Sequence, residues 1–243
     1  LYTCYRVSGM IRAVFFDLYN TLAGFSPSRF EIQSAACSEF DIKVTPDGIV
    51  RGYALADAFM AEENSIRPLR TKSKPSSKIF FTQYEQLVLK GAGVEVTESQ
   101  SWDIWLRIQS MTYDLARYDD VLPALDLLKS QGLALGMISN INRDAAELSE
   151  SLGLTPYLDF TVTSSEIGFE KPHPAIFRAA LDRCGTLPQE TVHVGDQITS
   201  DIEGALNVGI NPVLLDRDDN HKDVESYPRI ESLMELPYVL SLY

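Results

Sequence analysis

Between Val14 and Leu22 the chain runs Val-Phe-Phe-Asp-Leu-Tyr-Asn-Thr-Leu. Apolar, β-prone residues continue without alternation to one carboxylate, Asp17, and Asn20-Thr21 then break the pattern. A run without alternation fits a strand covered on both faces, the kind found in parallel sheets flanked by helices. Asp17 then falls where such a strand hands the chain to a ligand crevice. On their own the same residues also fit a turn opened by Asp17, so the decision rests on the other strands.

From Tyr118 onward, strand-like and helix-like stretches alternate. Val121 to Ser130 reads as a helix with Leu122, Leu125 and Leu128 inward, stopped at Gln131-Gly132. Leu133 to Ile138 reads as a strand ending at Ser139-Asn140. Asp144 to Leu152 is expected to be helical, Phe160 to Thr163 extended, and a polar loop then leads through Lys171-Pro172-His173-Pro174. Pro174 suits the first turn of a helix that turns Phe177, Ala180, Leu181 and Cys184 inward. Thr191 to Val194 is a strand ending at Gly195-Asp196. A helix from about Ser200 to Val208, a strand over Pro212–Leu215 and a last short helix carrying Ile230, Leu233 and Met234 complete the pattern. Strands alternating with helices indicate right-handed βαβ units and a parallel sheet. With the first strand central the order is 3-2-1-4-5, which brings the ends carrying Asp17, Ser139 and Asp196 side by side.

Residues 25 to about 117 have a different rhythm. Ile49–Met60, Ile79–Val88 and the stretch around Trp102–Gln109 repeat at helical spacing, with Gly91 to Gly93 as a stop signal. Arg67 to Lys78 reads as a basic, turn-rich loop, either solvated or a contact surface for an anionic substrate. The chain as a whole is acidic, with 21 Lys and Arg against 34 Asp and Glu. That balance argues against a general nucleic-acid surface. A metal ion or local cations can still recruit a small anionic substrate. Cys4, Cys37 and Cys184 have no metal or redox spacing and are expected to be free thiols in a reducing cytoplasm. No apolar run reaches the roughly 20 residues of a membrane span, and the start lacks the pattern of a secretory signal. Residues 1–9, ahead of Met10, are expected to be an extension outside the fold. Oligomeric state is not readable.

The strand ends and following loops present Asp17 with Thr21, Ser139 with Asn140, Lys171, and Asp196 with Asp201. A carboxylate nucleophile, hydroxyl donors, a fixed cation and two further acids are the parts of phosphoryl transfer. Asp17 would attack phosphorus and form an aspartyl phosphate for water to hydrolyse. Asp17 and Asp196 would hold Mg2+, and Lys171 would neutralise charge on the transferring group. His193 is expected to be structural, His173 to shape its loop, and His221 to lie in a solvated acidic loop over Asp216–Asp223.

The set Asp17-x-x-x-Thr21, Ser139-Asn140, Lys171-Pro172 and Gly195-Asp196-x-x-x-x-Asp201 resembles the haloacid dehalogenase superfamily in its usual motif order. The resemblance implies a Rossmann-like core over residues 10–24 and 116–243, with a helical cap over 25–115 inserted after the first motif. It also implies Asp17 and Lys171 as catalytic residues and Thr21, Ser139, Asn140 and Tyr19 near the substrate. Asp17, Asp196, Asp201 and the Tyr19 carbonyl would form the Mg2+ site. One position departs from the pattern of the superfamily's phosphatases, which carry a second Asp two residues after the nucleophile to protonate the leaving group. Here that residue is Tyr19. Tyrosine there is similar to the 2-haloacid dehalogenase branch, which displaces halide without metal; Asp196 and Asp201 argue the other way. Three readings follow: an Mg2+-dependent phosphatase, a dehalogenase-like hydrolase, or a weakly active or non-catalytic binding protein.

Overall fold

Strand β1 (Ala13–Phe16) is buried at all four positions and lies between two parallel neighbours, β4 (Ala134–Ser139) and β6 (Thr191–Gly195). The structure is a computed structural model and describes residues 10–66, 69–141 and 143–243. Outward from these, β5 (Phe160–Thr163) pairs with β4, β7 (Asn211–Leu215) with β6, and β8 (Arg229–Ile230) with β7, all parallel. The sheet order is β5-β4-β1-β6-β7-β8. In chain-order terms this is the expected 3-2-1-4-5, extended by a sixth strand. Ile230 belongs to that strand and not to the expected closing helix. It is held there because Asp216 N–H donates to the Ile230 carbonyl (2.8 Å) and Leu214 N–H to that of Pro228 (2.9 Å). A tight turn at Leu233–Glu235 then leads into α10 (Leu236–Leu240).

Contacts divide the chain into two units, one up to Ala23 together with Arg117–Tyr243, the other Gly24–Ala116. In the first, α5 (Val121–Ser130) ends as expected, but its inward face is Val121, Ala124, Leu125 and Leu128, with Leu122 only half-buried. Helix α6 (Ala145–Ser151) starts at Asp144, whose carboxylate accepts from the Ala146 and Glu147 amides (2.9 and 3.0 Å), an N-cap that satisfies donors the helix cannot. One unexpected turn, α7 (Ser164–Ile167), precedes α8 (Pro174–Cys184) and ends at Gly168 with φ 82. Helix α8 buries Ile176, Phe177, Ala180 and Leu181 against β1, β4 and β5 residues Phe15, Ile138 and Val162, while Cys184 is half-buried. After β6 the helix is wide at first: the Ile202 amide reaches back five residues to the Gln197 carbonyl (3.3 Å) before α9 (Gly204–Leu206).

The other unit contains α1 (Arg29–Ser38), α2 (Pro46–Ile66), α3 (Lys74–Gly91) and α4 (Glu98–Gln109). The strands β2 (Ala23–Ser26) and β3 (Asp114–Arg117), through which the chain leaves and returns, pair with each other. Helices α2 and α3 approach closely where a Cβ on Gly52 would strike the Val88 backbone and one on Gly91 would strike Gly52. The expected basic loop is shorter than its composition suggests. Helix α2 runs to Ile66, and Ser73 caps α3, so Lys74 to Lys78 are helical. Lys72 pairs with Glu63 at 2.6 Å. Arg67 and Pro68 lie outside the described residues, as do Cys4 and the expected extension over residues 1–9.

Inside this unit a polar chain crosses the apolar packing. Arg29 pairs with Asp57 (2.7 Å) and stands 4.6 Å over the Tyr53 ring, and Tyr84 donates to Asp57 (2.6 Å). Tyr53 donates to Gln33 (3.1 Å), which donates to Glu85 (2.5 Å). Glu85 is 1% exposed, and burial pushes its carboxyl up to about 7 despite the Gln33 hydrogen bond.

Candidate active site

The C-terminal ends of β1, β4 and β6 converge because all three strands are parallel and in register, Phe16 opposite both Met137 and Val194. Asp17 follows β1 directly, and its amide donates to the Val194 carbonyl at 2.8 Å, which fixes the residue between the strands. The next residues fold into a compact turn in which the Leu18 carbonyl accepts from the amides of Thr21 (3.3 Å), Leu22 and Ala23 (both 2.9 Å). Asn20 occupies the left-handed region at φ 56, where Asn is among the few side chains tolerated.

Lys171 is 2% exposed, and its ammonium bridges Asp17 Oδ1 and Asp201 Oδ1, the latter at 2.5 Å. Its backbone is clamped by Asn140. The Lys171 amide donates to Asn140 Oδ1 (2.6 Å), and Asn140 Nδ2 donates to the Lys171 carbonyl (2.9 Å). The Asn140 side chain is thus committed to positioning Lys171, a role its place beside Ser139 in the sequence does not reveal.

Asp201 is equally fixed. Its Oδ1 also accepts a hydrogen bond from His193 Nε2–H (3.0 Å), and its Oδ2 accepts from the Gln197 amide (3.1 Å). The carboxylate folds back over Gly195, where any Cβ would overlap it. His193 is therefore more than strand filler. Burial lowers its pKa, so the neutral imidazole serves as a hydrogen-bond donor to Asp201. The sequence signal for this was present, since His193 lies two residues before the Gly-Asp pair.

Electrostatics follow from burial. Burial and the Asp201 charge push Asp17 up to about 6 against the pull of Lys171. For Asp201, burial is outweighed by Lys171 and His193, and its pKa falls to about 2. Burial would lower the Lys171 pKa, but the two carboxylates raise it and keep the ammonium charged. Oxygens of Asp17, Asp196 and Asp201 lie within 4.8 Å of one another. Lys171 meets Asp17 and Asp201, and the three carboxylates together offer the oxygen ligands that a divalent cation such as Mg2+ prefers.

The Oγ1 of Thr21 and the Oγ of Ser139 are buried hydroxyls with no protein partner. Buried hydroxyls are rarely left so, and here they border the same strand ends. The other expected groups are accounted for. Tyr19 is half-buried and bridges to Ala23. His173 caps α8, its Nδ1 accepting from Ala175 (3.2 Å). The acidic loop near His221 is organised by Asp216, which accepts from the Asn220 and His221 amides (both 2.8 Å) and pairs with Arg229 (2.7 Å). Among the described residues no helix is long and apolar enough to cross a membrane.

Sequence comparison places these features in a family. A profile of haloacid dehalogenase-like hydrolases matches residues 11–209, and the chain belongs to that family. It is 30% identical over 208 residues to glyceraldehyde 3-phosphate phosphatase of Methanothermobacter thermautotrophicus, covering 85% of this chain and 86% of that protein. Haloacid dehalogenase-like hydrolase domain-containing protein 3 of Danio rerio is 36% identical over 123 residues, 49% of this chain and 51% of its own length. That alignment spans about half of the relative. Among solved structures, a 2-haloacid dehalogenase from Pseudomonas syringae pv. Tomato superposes with a TM-score of 0.56 at 26% identity, over 96% of this chain and 99% of that one.

Proposed function

We propose that the chain is an Mg2+-dependent phosphatase acting on a small, anionic phosphorylated substrate, with Asp17 as nucleophile. The observation that carries the reading is the cluster of buried Asp17, Asp201 and Lys171 with half-buried Asp196, beside the unpartnered hydroxyls of Thr21 and Ser139. Asp17, Asp196 and Asp201, with the Tyr19 carbonyl, would hold the ion. When bound, the ion would offset negative charge on the transferring group.

The chain's own residues do the rest. The Thr21 and Ser139 hydroxyls donate to phosphoryl oxygens, and Lys171 offsets their charge while holding the Asp17 carboxylate in line. Asp17 forms the new O–P bond as the bond to the leaving oxygen breaks, and water then cleaves the aspartyl phosphate. Tyr19 stands where a leaving-group acid would be useful, so leaving groups that are stable as anions are favoured. The 30% identity to a protein named as a glyceraldehyde 3-phosphate phosphatase supports a small phosphorylated substrate. Unbonded thiols at Cys37 and Cys184 are in keeping with a cytoplasmic setting. Residues 25–115, which take in parts of the two paired linker strands, would serve as the cap.

A second reading has its own observation. Tyr19, together with the likeness to a 2-haloacid dehalogenase, fits displacement of halide by Asp17, which needs no acid. The two are separated by assaying an aryl phosphate with and without Mg2+ alongside halide release from 2-haloacids. Mg2+-dependent phosphate release that disappears in Asp17→Asn supports the phosphatase; metal-independent halide release contradicts it.

A further inference from the structure

The side chain of Asn20 is not spent on the turn that contains it. Its Nδ2 donates to Asp196 Oδ2 at 3.0 Å, across 176 residues of sequence. The turn is gripped from outside by Arg217, whose Nε donates to the Asn20 carbonyl (3.1 Å) and whose Nη2 donates to the Thr21 carbonyl (2.9 Å). Arg217 is fixed in turn. Both of its Nη atoms meet Asp120 at 2.9 Å, and its guanidinium lies 4.3 Å from the Tyr118 ring centre. Asp120 also accepts from the Ser232 hydroxyl (2.8 Å) and the Leu233 amide (3.0 Å). A planar fork that spans two successive carbonyls and a carboxylate is work for arginine and not for lysine.

We infer that Asn20 and Arg217 are positioning residues for the metal site: Arg217 sets the Asn20 turn, and Asn20 orients the Asp196 carboxylate for the ion. This rests on the Mg2+ reading above. The simpler account of Asn20 is that its φ of 56 merely requires a residue at ease in the left-handed region. Glycine meets that requirement equally well but has no carboxamide, so Asn20→Gly separates the two accounts. Groups that orient a metal ligand typically change affinity by about 10–100-fold when lost.

The test is Mg2+ titration of the metal-free full chain by calorimetry, with the melting temperature of the metal-free protein measured in parallel. Asn20→Gly is expected to bind Mg2+ at least about tenfold more weakly, with its metal-free melting temperature unchanged. In assays, the Mg2+ concentration for half-maximal rate rises while the rate at saturating Mg2+ is largely retained. Arg217→Lys is expected to weaken Mg2+ binding in the same direction. The double variant should lose no more than the weaker single variant, because both act along one line of contacts. Unaltered affinity in Asn20→Gly overturns the inference, as do fully additive losses in the double variant. If the unmodified chain binds no Mg2+, the metal reading falls and this inference with it.

Discussion

The Asp201 carboxylate occupies the space in which any side chain at Gly195 would begin. That packing lets Asp201 reach Lys171, His193 and the Gln197 amide at once. Gly195→Ala is expected to cost about 1–3 kcal/mol of stability through overpacking and to reduce turnover sharply by displacing Asp201. Denaturant unfolding and steady-state assays on the one variant check both halves.

Lys171 is the only cation in contact with the Asp17–Asp201 pair among the described residues. Lys171→Met leaves two buried carboxylates facing each other, and removing one partner of a buried pair typically costs about 3–5 kcal/mol. Adding Asp201→Asn should recover much of that stability and none of the activity. Urea denaturation of the single and double variants tests the compensation.

Tyr19 predicts a substrate profile. Without a carboxyl acid at this position, turnover should depend steeply on the leaving group, with aryl phosphates well ahead of alkyl phosphates. Tyr19→Asp is expected to raise alkyl phosphate turnover by about 10²-fold or more with a much smaller effect on aryl phosphates. The comparison is the kcat/KM ratio for the two classes before and after the substitution.

Glu85 predicts a pH dependence in the helical unit. Its folded pKa, about 7, lies above the ordinary value of 4.5. Below the ordinary value the carboxyl is protonated in both folded and unfolded chains. As pH rises from there to about 7 only the unfolded chain ionises, so stability falls across this window by roughly 3 kcal/mol and then levels off. Glu85→Gln, which keeps an oxygen to accept from Gln33, should therefore raise the melting temperature far more at about pH 8 than at about pH 5. Equal shifts at both would contradict this.

The parts of the fold that were legible in the sequence are those whose signal is local and strong. The run into Asp17 must be covered on both faces, and the helix after Tyr118 has a clear stop at Gly132. The sheet order then follows from crossover handedness. What was not legible depends on partners far away. Strand β8 has only two residues and no pattern of its own; it exists because β7 offers it hydrogen bonds. The Asn140 carboxamide closes on the Lys171 backbone, 31 residues away, a contact that only the folded chain brings about. Asn20 and Arg217 bear on the site only once β1, β6 and the segment after β7 are brought together. Spacing within any one segment says nothing of that.

As nucleophile, Asp17 would carry the phosphoryl group during turnover. The direct measurement is acid-quenched mass spectrometry of the protein during turnover of an activated aryl phosphate in Mg2+. The expected result is the added mass of one phosphoryl group on the peptide containing Asp17, lost together with turnover in Asp17→Asn. Mg2+-dependent turnover that persists in Asp17→Asn, or that proceeds with the phosphoryl group on another residue, would contradict it.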